Sequence, residues 1–546
     1  MRRTPRLVLA AVLLALTAAC TGDPAQPTPA NGSEGPYLRG SGTLRVLAGS
    51  ELADLRPILD EAREATGVTV QLTEIGTLDG IERVATGAAA RDHDAIWFSS
   101  NRYLELHPDA ADKIGVDTKV ANSPVVLGLR ASTAQRLGWD KTRPTWSEIA
   151  TAAGAGEFTY GMTSPATSNS GYSALVGVAA ALAGTGRALT TDEITALTPR
   201  LQSFFTGHAL TSGSSGWLAD AYVHRQTAGV PLDGLINYES VLLSLNAGGR
   251  LSEPLTVIYP ADGVVTADYP LTLLAGGSEQ ARSNHAAIAE FLRRPSTQAK
   301  IMEQTHRRPA VTGVSLTGTF GPADGGLVEL PFPTRYEVAN TLVSSFGDAL
   351  RKPARTIYLL DLSGSMRGDR LEGLQSALLG LSGADTSLSG ELTRFNGREQ
   401  VILMPFSTTV AQPRRFDVPA DGPQPTLDRI RDDVRGLSAN GDTAIYDALA
   451  RGLELARELD AAEPGRFTSV VLLTDGERTV GRDLEEFRSL HTGLPATIRS
   501  VPVFTLLFGE GNVGDMTEIA TLTGGRTFDA RTGSLAAVFK EIRGYQ

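Results

Sequence analysis

TIYLLDLSGSM, residues 356–366, joins a continuous apolar run to a carboxylate and two hydroxyls on alternate positions. An unbroken run, rather than an alternating one, is the pattern of a strand buried on both faces, so residues 356–360 predict a central strand of a parallel sheet with helices on either side. In such a sheet, ligands bind at the carboxyl ends of the strands, which places Asp361, Ser363 and Ser365 on the ligand-binding edge. Oxygen donors of this kind suit Mg²⁺, which demands octahedral geometry at ~2.0 to 2.1 Å and keeps several waters. Three such residues alone also describe a capped turn, because Asp and Ser side chains bond the backbone there.

Two further segments change that balance. Asn440-Gly441-Asp442-Thr443 precedes the helical pattern AIYDALARGLELAREL, and SVVLLTDGE is a second apolar strand running into Asp475. A capped turn does not account for donors drawn from three separate loops. On these residues the stretch 354–546 resembles a von Willebrand factor type A domain, with DLSGSM, GDT and LTDGE matching its metal-ion-dependent adhesion site; VPVFTLLFG, GDMTEIATLTGG, RTFDA and SLAAVFKEIRGY fit the same order. The resemblance implies a Rossmann-like, doubly wound sheet. It also implies Mg²⁺ or Mn²⁺ as cofactor, with Ser363, Ser365 and Thr443 as direct ligands and Asp361 and Asp475 acting mostly through water. A coordination position is left open there for an Asp or Glu of a protein partner. Asp442 stands where many members have Gly, and reads as a cap on the following helix, the other reading being a carboxylate that tunes the affinity of the site.

Upstream, strand-like and helix-like runs alternate over residues 42–310, which predicts a parallel or mixed sheet covered by helices. TLRVLAGSEL, DAIWFSS, SPVVLGLR, PTWSEIA, GMTSPATSNSGYSAL, GLINYESVLLSLN and AAIAEFLRRPSTQAKIME before RRPA resemble, in order and element type, a bacterial extracellular solute-binding protein of the two-lobed type II periplasmic-binding fold. Such a fold implies a small solute in a cleft, held by helix N-termini whose free N–H groups and dipole suit polar groups. The candidates are Ser50, Ser99 with Ser100, Ser168, Asn169, Ser170 and Tyr238, each of which taken alone also reads as an N-cap worth ~1 kcal/mol. Glu51 and Glu239 add carboxylates to first helical turns, which favours the helices and disfavours an oxyanion in the cleft. The run ALVGVAAALAG at 174–184 falls short of the ~20 residues of a membrane span and predicts a buried helix of small side chains. Residues 311–353, rich in Gly, Pro and Thr at first, read as a connector.

The N-terminus speaks to the compartment. Arg2, Arg3 and Arg6 precede an uncharged apolar run at 7–16, the pattern of a signal peptide over residues 1–19. LTAAC then leads to Cys20, the single cysteine, and resembles the lipobox of bacterial lipoproteins, with Thr17 where Leu is usual. That implies a protein lipidated at Cys20, held at the extracytoplasmic face of the cell membrane by that anchor only, with residues 20–41 as a flexible linker. The chain of 546 residues carries 50 basic and 61 acidic side chains, a balance of −11 that argues against nucleic-acid binding. No nucleophile, base and orienting group fall together, none of the seven His lies in the three loops, and no zincin, P-loop or nucleophile-elbow motif occurs, so no enzymatic activity is expected. The sequence therefore predicts a surface lipoprotein that grips an acidic protein partner through a metal, with the solute-binding part as sensor or spacer. The alternative is a component that delivers a solute to a permease.

Overall fold

Strands buried along their whole length, as strands covered on both faces are, set up the architecture. The computed structural model describes residues 35–322, 326–475, 477–507, 509, 512–531 and 535–545, and the expected signal peptide, Cys20 and most of the linker lie outside them. Among the described residues three sheets form one packed unit over residues 38–546.

The first sheet holds β1 (Gly42–Ala48), β2 (Val68–Glu74), β3 (Ala95–Trp97), β4 (Ile114–Lys119) and β11 (Pro270–Leu274) in the order β2-β1-β3-β11-β4, with β11 antiparallel to both neighbours. The second centres on the long β5 (Ala121–Arg130), in the order β10-β5-β8-β6-β7 with β6 (Tyr160–Thr163), β7 (His208–Ser212), β8 (Gly234–Tyr238) and β10 (Thr266–Ala267); β9 (Leu255–Ile258) and β12 (Arg308–Pro309) also pair with β5. The chain crosses from the first sheet to the second between Lys119 and Ala121 and returns between Ala267 and Pro270. The two crossings lie side by side, with the Val120 amide donating to the Tyr269 carbonyl at 3.3 Å. Two lobes joined by adjacent crossovers follow directly from that route.

The helix Asn169–Ala183 is buried along nearly all its length. Small residues are required where it enters: a Cβ on Gly171 would lie 2.2 Å from the Thr163 carbonyl oxygen. No helix among the described residues is long and apolar enough to cross a membrane. The connector is more ordered than its composition suggests, since Tyr336–Ser345 is helical and Phe346 packs edge-on against Phe205, ring centroids 5.3 Å apart.

The third sheet runs β15 (Arg414–Asp417), β14 (Gln400–Phe406), β13 (Ala354–Asp361), β16 (Phe467–Thr474), β17 (Val503–Leu507) and β18 (Thr527–Asp529), parallel except for β15. β13 extends the expected strand at both ends and is buried throughout. Its side chains alternate as the unbroken apolar run requires. Tyr358 and Leu360 pack with Leu374, Ile430 and Phe539 of helices on one side; Ile357 and Leu359 pack with Leu449, Phe487 and Ile519 on the other. This is the doubly wound α/β arrangement. Buried charge is paired at its margin, where Glu399 takes guanidinium groups from both Arg351 of the connector and Arg543 of the helix Leu535–Arg543.

Candidate functional site

The carboxyl ends of β13 and β16 adjoin, so the loops after them meet. Asp361, fully buried, accepts the Ser363 amide on Oδ1 at 2.9 Å and the Thr474 hydroxyl on Oδ2 at 2.7 Å. Burial raises its pKa; the hydrogen bonds from Ser363 and Thr474 work against that, and the nearby charge of Asp475 adds to it. Ser363 Oγ lies 3.1 Å from Ser365 Oγ, and Ser365 donates to Asp475 Oδ1 at 2.9 Å. Four of the five expected donors thus form one hydrogen-bonded chain.

Thr443 reaches the site through its backbone. Asn440 N donates to Leu362 O at 2.6 Å and Gly364 N to Gly441 O at 2.9 Å, tying the second loop to the first. Gly441 makes this possible at φ +90°, where a Cβ would meet the Thr408 hydroxyl at 2.7 Å. Thr443 N in turn donates to Thr479 Oγ1 at 2.8 Å, which joins the second loop to the third. Thr443 is buried, and its hydroxyl has no hydrogen-bond partner among the described residues. Asp442 binds through its amide to Thr408 Oγ1 at 2.9 Å, and the helix that follows, Ile445–Ala462, has Ala444 as its N-cap, so Asp442 does not cap it as expected.

The donor set consists of carboxylates and hydroxyls, which fits a hard divalent cation. Among the described residues no three His, Cys, Asp or Glu side chains cluster, so the set rests on two carboxylates with hydroxyls. Arg370, which the sequence reading missed, forms an ion pair with Asp475 Oδ2. It stands nine residues after Asp361 at the first turn of the helix Asp369–Leu379, and only that helix's placement over the site reveals its role.

The cleft candidates also come together. Tyr238, at the end of β8 in the second lobe, donates its hydroxyl to Ser99 Oγ of the first lobe at 2.8 Å and accepts from Asn169 Nδ2 at 3.2 Å. Ser170 Oγ lies 2.7 Å from both Thr163 Oγ1 and Ser215 Oγ, and 3.2 Å from Ser168 Oγ. Ser168 and Tyr238 occupy N-cap positions without side-chain capping bonds, so their polar groups serve this network instead. Ser50 opens a 3₁₀ turn, and among the described residues its side chain bonds none of the other six. Ser100 caps locally, accepting the Arg102 amide at 3.3 Å.

The two glutamates divide. Glu239 is fully buried and bonded in bidentate fashion to Arg308 at 2.6 and 2.7 Å, so its charge is neutralised rather than presented to the cleft. Burial pushes the Glu51 carboxyl up, against the Ser99 hydrogen bond and the charge of Arg307. Arg307 is buried over the Tyr269 ring, 4.7 Å from its centroid, and donates to Asp54 and to the Glu51 carbonyl at 2.7 Å each. The RRPA signal held both arginines, but nothing local in it indicated their partners.

Residues 44–305 match the bacterial extracellular solute-binding protein family. The periplasmic binding protein AfuA from Actinobacillus pleuropneumoniae is similar at 11% identity and a TM-score of 0.42, covering 57% of this chain and 98% of that one. The sulfate-binding protein SubI from Mycobacterium tuberculosis is similar at 18% identity and a TM-score of 0.39, covering 54% and 94%. Inter-alpha-trypsin inhibitor heavy chain H4 of Homo sapiens is 30% identical over 132 residues, which is 24% of this chain and 13% of that protein. The chain therefore spans about an eighth of the length of that curated relative. Residues 44–305 thus carry the match to that family on a two-lobed α/β fold, and a Rossmann-like sheet follows it.

Proposed function

We propose that this chain, with its extracellular solute-binding domain over residues 44–305, is a lipid-anchored surface protein that binds an acidic protein partner through a divalent-metal site of the von Willebrand factor type A kind. The observation that carries the reading is the lacing of three loops at one sheet edge, which gathers Asp361, Ser363, Ser365 and Asp475 into one chain and leaves the Thr443 hydroxyl unpartnered among the described residues. Asp361 and its bond from Thr474 fix the first loop, while Ser363, Ser365 and Thr443 present hydroxyl oxygens. Bound there, Mg²⁺ or Mn²⁺ supplies an electrophilic position that rewards an anionic oxygen from outside. The work is binding; no reactive group assembles in these loops.

A pull-down from the native envelope tests it. Partner capture is expected with Mg²⁺ present and lost with EDTA, and capture indifferent to the chelator would overturn the metal-dependent reading.

Within this proposal the solute-binding domain serves as sensor or spacer. Its Ser99–Tyr238–Asn169 bonds draw the lobes together across the cleft, which supports a closed resting form. The anchor is Cys20, outside the described residues. An acyl chain contributes ~0.8 kcal/mol per buried CH₂, so Cys20→Ser is expected to move the protein from the membrane fraction to the soluble one. Full membrane retention of a processed Cys20→Ser chain would remove the lipoprotein reading.

A further inference from the structure

A pocket of about 280 Å³ opens where the helix Ser215–Thr227 of the second lobe meets the start of β16, lined by residues of both. Thr468 and Ser469 line it, whereas Thr474 near the other end of the same strand bonds Asp361. Five residues of strand put roughly 17 Å between this pocket and the metal loops. The pocket also lies apart from the cleft, sharing none of the cleft candidates.

Its lining is short of partners. Thr211 Oγ1, Arg225 Nε, Thr468 Oγ1 and Ser469 Oγ are buried without a hydrogen-bond partner among the described residues, and all four belong to residues that line this one pocket. Buried polar atoms in folded proteins are nearly always paired, so four orphans together mark a place where a polar group is missing. Charge points the same way. Arg225 and Lys352 both line the pocket, and neither side chain forms an ion pair or hydrogen bond among the described residues. Burial alone pushes both below their ordinary pKa values. Arg466 adds a third cation, held to Arg398 O at 2.7 Å and 3.5 Å from Glu463. Asp460 is the one carboxylate of the lining, and His224 is pulled toward its neutral form by burial. The lining is net positive, and leaving such cations unpaired is costly to the fold.

We propose that this pocket binds a small phosphate-class oxyanion, inorganic phosphate or a compact phosphomonoester, with Arg225 and Lys352 supplying the charge and Thr211, Thr468 and Ser469 the hydroxyl donors. Cations and hydroxyls can all donate to oxygen, and a tetrahedral anion offers several acceptor oxygens to donors approaching from two sides. The volume holds such an ion with a few further heavy atoms and lies at the small end of ligand pockets.

The test is thermal shift and calorimetry on the detergent-solubilised full chain, with inorganic phosphate, glycerol phosphate and succinate at matched ionic strength. Phosphate is expected to raise the melting temperature saturably; a tighter response to glycerol phosphate identifies the ester as the ligand, and a weaker one the free ion. Arg225→Leu is expected to weaken binding about tenfold or more. Because it removes a half-buried cation whose side chain has no partner among the described residues, it should leave melting without anion unchanged or raised. Ser469→Ala provides a second reading, with weaker binding and unchanged melting, that does not depend on how Arg225→Leu folds. No response to phosphate at about 20 mM, an equal response to succinate, or unaltered phosphate binding in both variants would overturn the proposal.

Discussion

Asp361→Ala is expected to abolish Mg²⁺ and Mn²⁺ binding by calorimetry while the metal-free protein melts within a few degrees of wild type. Asp361 has a buried carboxylate and holds the first loop through Ser363 N and Thr474 Oγ1. Removing it takes away charge that balances a divalent ion and the anchor that aims Ser363. It also removes a carboxylate whose ionised form burial already disfavours, which limits the loss of stability. Ser363→Ala and Thr443→Ala each delete an expected direct oxygen, and a sparse octahedral set tolerates this poorly. Thr474→Ala leaves every ligand in place and should weaken binding by about 10- to 100-fold through misorientation of Asp361. Arg370→Met provides the opposite sign. With the guanidinium gone from Asp475, one cation no longer competes with another for the same carboxylate, and binding should tighten. Wild-type protein that binds no divalent cation at millimolar concentration, even with an acidic peptide present, would end the metal-site reading.

Acid is expected to destabilise the protein steeply. All seven histidines have pKa values shifted down by burial. His208 is the extreme case, fully buried and brought down to about 4, with Nε2 bonded to Leu210 O at 2.8 Å and with Lys352 and Arg351 adding like charge. Between that value and the unfolded one near 6.5, the unfolded chain binds more protons than the folded chain, so stability is lost as pH falls through this window. Above about pH 6.5 this penalty is absent. For His208 alone it approaches about 3 kcal/mol below pH 4. The location matters, because His208 packs among Tyr160, Phe205, Phe346 and Phe467, between the second sheet and the third. Melting temperatures measured from pH 7.5 to 4 should therefore fall, and His208→Leu should flatten part of that fall. A profile that stays level to pH 4.5, or that is unchanged by His208→Leu, would refute the assignment.

The legibility of the sequence divides along physical lines. The third sheet was readable because β13 and β16 are unbroken apolar runs ending in carboxylates, and strand ends determine where loops go. Asp361, Ser363, Ser365 and Asp475 meet as read, since parallel pairing of β13 with β16 forces it. The cleft residues were readable as helix starts; that they bond one another across the lobes, through Tyr238 and Ser99, depends on lobe placement that no local pattern encodes. Charged side chains were the least legible. Arg370 and Arg308 find partners 105 and 69 residues away in sequence, and the Arg225 and Lys352 side chains share a pocket without pairing among the described residues. Long flexible cations take their meaning from tertiary neighbours, so the meeting of the loops after β13 and β16 was visible in advance and the pocket at the start of β16 was not.

The placement of β13 also has a mechanical consequence. The chain enters this strand at Ala354 and leaves it at Asp361, where the loop carrying Ser363 and Ser365 begins. A pull between something gripping that loop and the chain upstream loads β13 end to end, between β14 and β16, each in parallel register with it over seven residue pairs. Tension then acts in shear on two whole ladders at once instead of peeling their bonds one by one. Rupture under load is governed by the rate of crossing an unfolding barrier, and shear geometry raises that barrier. The strand that carries Asp361 and its loop is thus the one best placed to withstand a tug.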